Sequence, residues 1–522
     1  MYPIITENEF VTVTETFVSM SDGVRLYTRY AVPKGIKKCP IVYIRNPYEP
    51  AHNGTSHDIE SYRNDLFIKN GYAVLVQHCR GRGDSEGECI PYEEREDGLS
   101  TLDFMRTLPF YDGEIYIWGG SYLATAHYCY LSAQPHDIKG ACLEIQTDRI
   151  YYRNYRNGCN YRLNNAWWWA GMLRRKFPDH KGEELFKLPY IDAAKRAFGV
   201  DVPEFTQGLI HNTCDEFWTS DSRWNVIDTL NIPTLFIEGW YDFYIDGMMN
   251  MWERLPAQTK KRSTMMVGPY GHTTKVGENS EYPLKNGNFN DDYVVEWFNS
   301  IREKRPFKYS ECGKIKYYSI GADEWREDVY PNNNCKYNRF YLAKNSKLLL
   351  QSTAGEEICY EYDPNTVNEC FKHHYIHRAH KPSTVDGVVS FVSDPFEKEE
   401  SFYGKVKFHL SVSSDCEDTA FFMRLYLVEN GESYNLTETI GALSYFIKDY
   451  KPSEKVEIEL ETSPIAFTIK PGMSIRVDIS SNSGLYLPHP NVKGHFAYVT
   501  DTKIAKNTIY TEGSYLDLPY EK

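Results

Sequence analysis

The chain has no C-x-x-C pair: its 12 cysteines are scattered, which argues against a zinc site or a disulfide framework and for reduced thiols. It has no long basic run and a formal charge of −14, so the electrostatic footprint of nucleic-acid binding is missing. No stretch approaches the ~20 apolar residues that span a bilayer. Residues 1–20 lack the basic n-region and continuous apolar h-region of a secretory signal. Internal repeats and low-complexity tracts are missing too. These absences point to a cytoplasmic protein that engages neither nucleic acid nor membrane, with self-association left open.

What is present is an ordinary globular composition, 41% hydrophobic and 25% charged, which supports a sizeable core without metal or disulfide staples. At 522 residues the chain exceeds one core, and roughly two to four domains are expected. Its 42 tyrosines and 10 tryptophans put polar tips on apolar bodies, which suits clefts and half-wet surfaces. Compositional bias is the plain alternative.

Residues 1–145 alternate strand-like and helix-like patterns. Val11 to Val18 alternates with period two, and Asp22-Gly23 supplies a hairpin turn into Val24 to Tyr30. Short apolar runs follow at Ile41 to Ile44, Tyr72 to Val76 and Ile115 to Trp118, with helical stretches at Tyr62 to Asn70 and Asp97 to Leu108. Continuous apolar strands of this kind suit a parallel sheet covered on both faces, an α/β pattern. Two more such runs, Thr234 to Glu238 and Ser263 to Val267, precede a helical segment from Asp292 to Arg302. The helical, aromatic stretch 146–230 between them reads as a cap inserted into one α/β domain, whose parts are 1–145 and 231–310. Residues 311–522 carry period-two patterns cut by Asn, Gly, Pro and Ser clusters, as in a β-sandwich or jelly roll.

The stretch Ile115-Tyr-Ile-Trp-Gly-Gly-Ser-Tyr-Leu-Ala124 is a strand that ends in Gly-x-Ser-x and passes into a helix, the pattern of a nucleophile elbow. A serine exposed on so sharp a turn needs small neighbours, here Gly119 and Gly120, and the helix N-terminus behind it favours a developing oxyanion. The usual pentapeptide ends in glycine, whereas this one has Leu123, with Ala124 next. An inert serine in a tight turn is the alternative. The partners tell against it. Asp242 follows the strand at 234–238 and His272 follows the strand at 263–267, in the order Ser, Asp, His that this fold requires. A serine hydroxyl needs a general base, and an imidazole needs a carboxylate to fix its tautomer.

With Arg45-Asn-Pro-Tyr48, Arg80-Gly-Arg-Gly-Asp-Ser-Glu-Gly87, Gly119-Gly-Ser-Tyr122, Gly239-Trp-Tyr-Asp242 and Gly268-Pro-Tyr-Gly-His272, the chain resembles the cocaine esterase / X-Pro dipeptidyl-peptidase family of α/β hydrolases, which also contains the α-amino acid ester hydrolases. Tyr318-Ser-Ile-Gly-Ala-Asp-Glu-Trp325 and Pro471-Gly-Met-Ser-Ile-Arg-Val-Asp-Ile-Ser480 look like the family's C-terminal jelly roll. The resemblance implies Ser121 as nucleophile, His272 as general base and acid, and Asp242 as its orienting carboxylate. Tyr48 matches the family's oxyanion tyrosine, donating alongside the backbone N–H of Tyr122. Arg80 to Gly87 reads as a structural loop, since it lacks the Lys-Ser/Thr ending of a phosphate cradle.

The expected activity is ester hydrolysis through an acyl-serine, without cofactor or metal, on a small-molecule ester, amide or short peptide. The alternatives are an X-Pro dipeptidyl peptidase or amidase and, from another class, an inert binding protein. A dipeptidyl peptidase needs a buried carboxylate for the substrate ammonium, and Asp148, Glu183, Glu184 and Asp192 stand in no diagnostic context. Trp167, Trp168, Trp169 and Trp240 are candidates for the substrate pocket, with a buried insertion core as the alternative for the first three. His373 to His380 holds four histidines in eight residues, but no carboxylate or cysteine completes a metal site there.

Overall fold

The computed structural model describes residues 4–7, 9–48, 59, 62–161, 166, 168–169, 182–221, 223–276, 281–330, 335–366, 386–483 and 485–521. Eleven strands form its first sheet: β1 (Ile4–Glu7), β2 (Val11–Ser19), β3 (Arg25–Pro33), β4 (Cys39–Asn46), β5 (Ala73–His78), β6 (Tyr111–Gly120), β7 (Ile138–Glu144), β8 (Thr234–Gly239), β9 (Thr264–Gly268), β10 (Ile315–Ser319) and β11 (Glu324–Asp328). Their order is β1-β2-β3-β5-β4-β6-β7-β8-β9-β10-β11. The pairs from β5 to β10 are parallel, and antiparallel pairs finish both edges.

The continuous apolar runs have a plain consequence. Every residue of β4, β5, β8 and β9 is buried, because helices cover both faces of the sheet. Alternation divides the strand side chains between two cores. Ile41, Tyr43, Ile115 and Ile117 pack with Leu102 and Met105 of α2 (Arg95–Arg106), Tyr128 of α3 (Tyr122–Leu131) and Trp252 of α4 (Ile245–Arg254). Val42, Ile44 and Tyr116 pack on the other face with Phe298 of α5 (Tyr293–Arg302).

The chain between β7 and β8, which are parallel neighbours, forms the expected helical insertion, with helices at Tyr151–Asn154, Ala193–Phe198 and Pro203–Ile210. From Tyr337–Ala343 onward the only regular elements among the described residues are strands and one short helix, Leu443–Phe446, and the longest strand, Ala505–Pro519, pairs with Tyr337–Ala343, Glu357–Tyr362 and Lys407–Ser414.

Two details depart from the sequence reading. The motif from Tyr318 to Trp325, read as the start of the second unit, belongs to the first sheet. Ile315–Tyr317 pairs in parallel with Met265–Val267, and β11 folds back on β10. Period two does not say which sheet a strand joins; the unpaired edge of β9 decides it. The alternation expected over 455–510 also breaks, because the segment around Leu487 and Ala497 leaves the β-structure and packs with Ala194, Phe198 and Leu209 of the insertion. The Tyr190 hydroxyl donates to the Pro488 carbonyl at 2.9 Å and the Ile191 N–H to that of Ala497 at 2.9 Å. The insertion is thus held from both sides.

Candidate active site

β6 ends in Gly119-Gly120, and Ser121 stands between it and α3 with φ 54° and ψ −126°. Positive φ in a non-glycine residue costs about 1–3 kcal/mol, and the surroundings hold it. The Ser121 N–H donates to the Glu144 carbonyl of β7 at 2.9 Å, and its own carbonyl accepts from Ala124 and Thr125. A Cβ at Gly119 would come within 2.6 Å of the Leu123 backbone, so only glycine lets the helix approach the strand. Gly120 is under no such constraint: a Cβ there would meet Glu144 at an ordinary 3.4 Å. Leu123, in place of the usual glycine, turns into the second core, and Ala124 into the first.

Asp242 and His272 follow β8 and β9, and those parallel neighbours bring them together. The Trp240 N–H donates to the Gly268 carbonyl and the Tyr241 N–H to that of Tyr270, both at 2.9 Å. Gly239 permits this contact, since a Cβ would stand 2.3 Å from the Tyr270 oxygen. His272 Nδ1 lies 2.8 Å from Asp242 Oδ2, and His272 Nε2 lies 2.9 Å from Ser121 Oγ. The other oxygen, Asp242 Oδ1, accepts from the Tyr244 N–H at 2.9 Å. A carboxylate that accepts at both oxygens selects the tautomer with hydrogen on Nδ1, which leaves Nε2 free to accept from Ser121. Phe243 stacks on the imidazole at 4.6 Å. The all-β part braces this loop, with the Tyr241 hydroxyl donating to the Asn435 carbonyl at 3.0 Å.

The Tyr48 phenol lies in hydrogen-bonding contact with the Ser121 hydroxyl, the Tyr122 backbone N–H and Trp168; burial lifts its pKa, and those contacts oppose the shift. A neutral phenol and the first free amide of a helix therefore converge beside Ser121 Oγ. Trp168 packs on Tyr122 at 5.4 Å, and buried Trp169 lines a cavity of about 680 Å³ on the insertion side. Trp167 and the stretch His373 to His380 lie outside the described residues. Trp240 lines not that cavity but a smaller one, with Asp242 and Phe243. Its indole N–H donates to the Tyr318 carbonyl at 2.8 Å and its ring faces Tyr403, so it anchors the Asp242 loop to the strands behind it.

Sequence reasoning passed over Glu238, the last side chain of β8 before Gly239. It is fully buried, Oε1 accepts from the Gly239 N–H at 2.8 Å, and Oε2 has no partner among the described residues. Burial first, then the charge of Asp242, pushes its pKa well above the usual carboxylate range. A carboxyl with a raised folded-state pKa is fully stabilising only below its unfolded value, near 4.5; that stability declines as pH rises from there toward the folded-state pKa. Glu238→Gln keeps the acceptor and removes the titration. Its unfolding free energy should therefore exceed the wild type's increasingly between pH 5 and pH 8, by up to about 1.4 kcal/mol per pH unit. A difference in urea-unfolding free energy that stays flat across that range would refute the assignment.

None of the four carboxylates named from sequence is a free buried anion. Asp148 is buried but takes Arg254 at 2.6 and 2.7 Å, Glu184 pairs with Lys187 at 2.5 Å, and Glu183 and Asp192 are exposed. A second residue that the sequence did not signal is Arg153, on the first helix of the insertion and buried against Trp168, Phe243 and Tyr244. Among the described residues no group of three His, Cys, Asp or Glu side chains could hold a metal.

The chain matches the family model for X-Pro dipeptidyl-peptidase (S15 family) over residues 22–274, and that for the X-Pro dipeptidyl-peptidase C-terminal non-catalytic domain over residues 311–517. It is similar to the cocaine esterase of Rhodococcus sp., with 23% identity across 91% of this chain and 92% of that protein. In fold it is similar to an α-amino acid ester hydrolase (TM-score 0.84, 20% identity, 99% and 98% of the two chains covered). It is equally similar to an aminopeptidase from a marine sediment archaeon, Thaumarchaeota archaeon (0.84, 17%, 99% and 97%). A CocE/NonD family hydrolase from Staphylococcus aureus follows (0.71, 16%, 98% and 94%).

Proposed function

The chain belongs to the X-Pro dipeptidyl-peptidase (S15) and cocaine esterase family of α/β serine hydrolases, and from that premise we propose that it hydrolyses a small ester through an acyl-enzyme on Ser121. The observation that carries this reading is the continuous relay from Ser121 Oγ through His272 to Asp242, at 2.9 and 2.8 Å.

In the proposed reaction Ser121 Oγ attacks the ester carbonyl and gives its proton to His272 Nε2, while Asp242 stabilises the imidazolium. The negative charge that collects on the carbonyl oxygen is met by the Tyr48 hydroxyl and the Tyr122 N–H, both already in position, so little reorganisation accompanies the step. Collapse of the tetrahedral intermediate breaks the bond to the leaving alcohol, which takes the proton from His272. Water then repeats the sequence on the acyl-serine and releases the acid, restoring the Ser121 hydroxyl. No metal or cofactor enters these steps. Among the described residues no helix is long and apolar enough to cross a membrane. The scattered cysteines, without a C-x-x-C pair, suit the reducing cytosol in which we propose the protein works.

Peptidase activity has support in the family description, but X-Pro cleavage needs an anion for the substrate's terminal ammonium. The carboxylates named for that task are paired or exposed, which favours ester over dipeptide. The test is a panel of p-nitrophenyl acyl esters against X-Pro p-nitroanilides. The esters should show at least a tenfold higher kcat/KM, about 1.4 kcal/mol more transition-state stabilisation. Anilide turnover equal to or above ester turnover would replace this reading with the peptidase.

A further inference from the structure

Arg153 is 8% exposed, and its side chain makes no hydrogen bond or ion pair with any described residue. Its guanidinium lies over Trp168 at 5.9 Å and over Phe243 and Tyr244 at 5.4 Å each. These rings also surround the catalytic groups: Trp168 packs on Tyr122, and Phe243 and Tyr244 pack on His272 at 4.6 and 5.7 Å. The same arginine lines the 680 Å³ cavity, so it links that cavity to the rings packed on Tyr122 and His272. Its positive charge reaches Tyr48, Tyr92 and Tyr244, opposing the rise that burial gives each phenol.

An enclosed cation without a counter-ion is costly, and aromatic faces offset only part of that cost. Four other buried arginines, Arg45, Arg223, Arg424 and Arg476, have a carboxylate, while Arg82 donates to the Pro47 carbonyl. Arg45 pairs with Glu94 at 2.5 Å and Arg223 with Asp221. Among the acidic side chains lining the cavity, Asp221 is therefore engaged, and Glu93 and Glu96 are exposed at its rim. Only Glu204, on helix Pro203–Ile210, keeps an enclosed oxygen without a partner. It forms no ion pair with Arg153. A guanidinium without a hydrogen-bond or ion-pair partner among the described residues, packed on the rings that flank His272, is suited to receive a planar anion by two parallel hydrogen bonds.

We propose that Arg153 selects substrates that carry a carboxylate close to the scissile ester, so that the enzyme prefers carboxylate-bearing esters to aminoacyl esters. The inference deepens the serine-esterase reading and rests on it. The carboxylate can belong to the acyl part, as in a monoester of a dicarboxylic acid, or to the leaving alcohol. Arg153 acts as a binding residue; the bond-making steps stay with Ser121 and His272.

Two pairs of substrates distinguish the sources. On the acyl side, p-nitrophenyl hemiglutarate is compared with p-nitrophenyl pentanoate; on the alcohol side, 4-(butyryloxy)benzoate with phenyl butyrate. In one pair the anionic member should have at least tenfold higher kcat/KM, mainly through KM. Arg153→Met should lower that ratio at least tenfold, and Arg153→Lys should restore part of it. Should the Met variant not fold, the wild type answers alone, because glutarate should inhibit hydrolysis of a neutral ester at least tenfold better than glutaramide. The proposal is overturned if neutral members are preferred in both pairs, if the preference survives Arg153→Met, if glutarate inhibits no better than glutaramide, or if alanine p-nitrophenyl ester outranks both anions. That last result would give recognition to Glu204. Fluorophosphonate labelling of the wild type separates the two failures: an unlabelled protein refutes the hydrolase reading itself, whereas a labelled one without anion preference refutes only the role of Arg153.

Discussion

Replacing Ser121 with alanine is expected to abolish fluorophosphonate labelling and to lower kcat for p-nitrophenyl esters by about 10⁴- to 10⁶-fold. The Oγ that would form the acyl bond is gone, and His272 Nε2, 2.9 Å away, has nothing to deprotonate but water. The fold should not change. Alanine pays the same backbone strain at φ 54°, and the bonds that hold the turn, from the Ser121 N–H to Glu144 and from Ala124 and Thr125 to the Ser121 carbonyl, are all main-chain. Residual turnover from the Tyr48 and Tyr122 donors and from binding should remain above the rate in water. The measurement is active-site labelling and steady-state kinetics on a variant whose unfolding midpoint matches the wild type. Labelling that persists in the alanine variant would place the nucleophile elsewhere and leave the inert-serine alternative standing.

Asp242→Asn should lower kcat by about 10⁴-fold, although the two side chains have the same shape. The reason lies in the second oxygen. Asp242 Oδ1 accepts from the Tyr244 N–H at 2.9 Å while Oδ2 faces His272 Nδ1 at 2.8 Å. An asparagine must keep its carbonyl oxygen toward Tyr244, since an amide NH₂ there would meet another donor. Its NH₂ then points at His272 Nδ1 and forces that nitrogen to accept, so the ring proton moves to Nε2. An imidazole with hydrogen on Nε2 cannot take the Ser121 proton. The defect should therefore appear in the rate of fluorophosphonate labelling as strongly as in kcat, with KM little altered. An Asp242→Asn variant within tenfold of wild-type activity would remove Asp242 from the relay.

Much of this is legible in the sequence. The apolar runs at 41–44, 72–76, 115–118, 234–238 and 263–267 are buried parallel strands, and the helices expected at 62–70, 97–108 and 292–302 match Tyr62–Lys69, Arg95–Arg106 and Tyr293–Arg302 to within about two residues. Ser121, Asp242 and His272 were readable because each stands directly after a strand of the same parallel sheet. Local sequence determines that a strand ends there, and parallel pairing then brings those ends to one edge.

Tertiary contact decided everything that depends on what a side chain meets. Asp148 is spent on Arg254, from 106 residues further along the chain, and the Trp240 indole N–H on the Tyr318 carbonyl. Gly119 is essential to the elbow's packing while Gly120 is not, a distinction carried by the paths of Leu123 and Glu144 and invisible in the pair of glycines. Glu238 looks like the end of an ordinary strand until burial and Asp242 favour its neutral acid form. Arg153 lies in an insertion rich in arginine, with nothing in its neighbours to single it out. By itself, the sequence determined a buried parallel sheet, a helical insertion, an all-β second part and the Ser, Asp, His order, because period and turn chemistry are local. Only the folded chain decided which charges are paired, because pairing depends on distances between residues far apart in sequence.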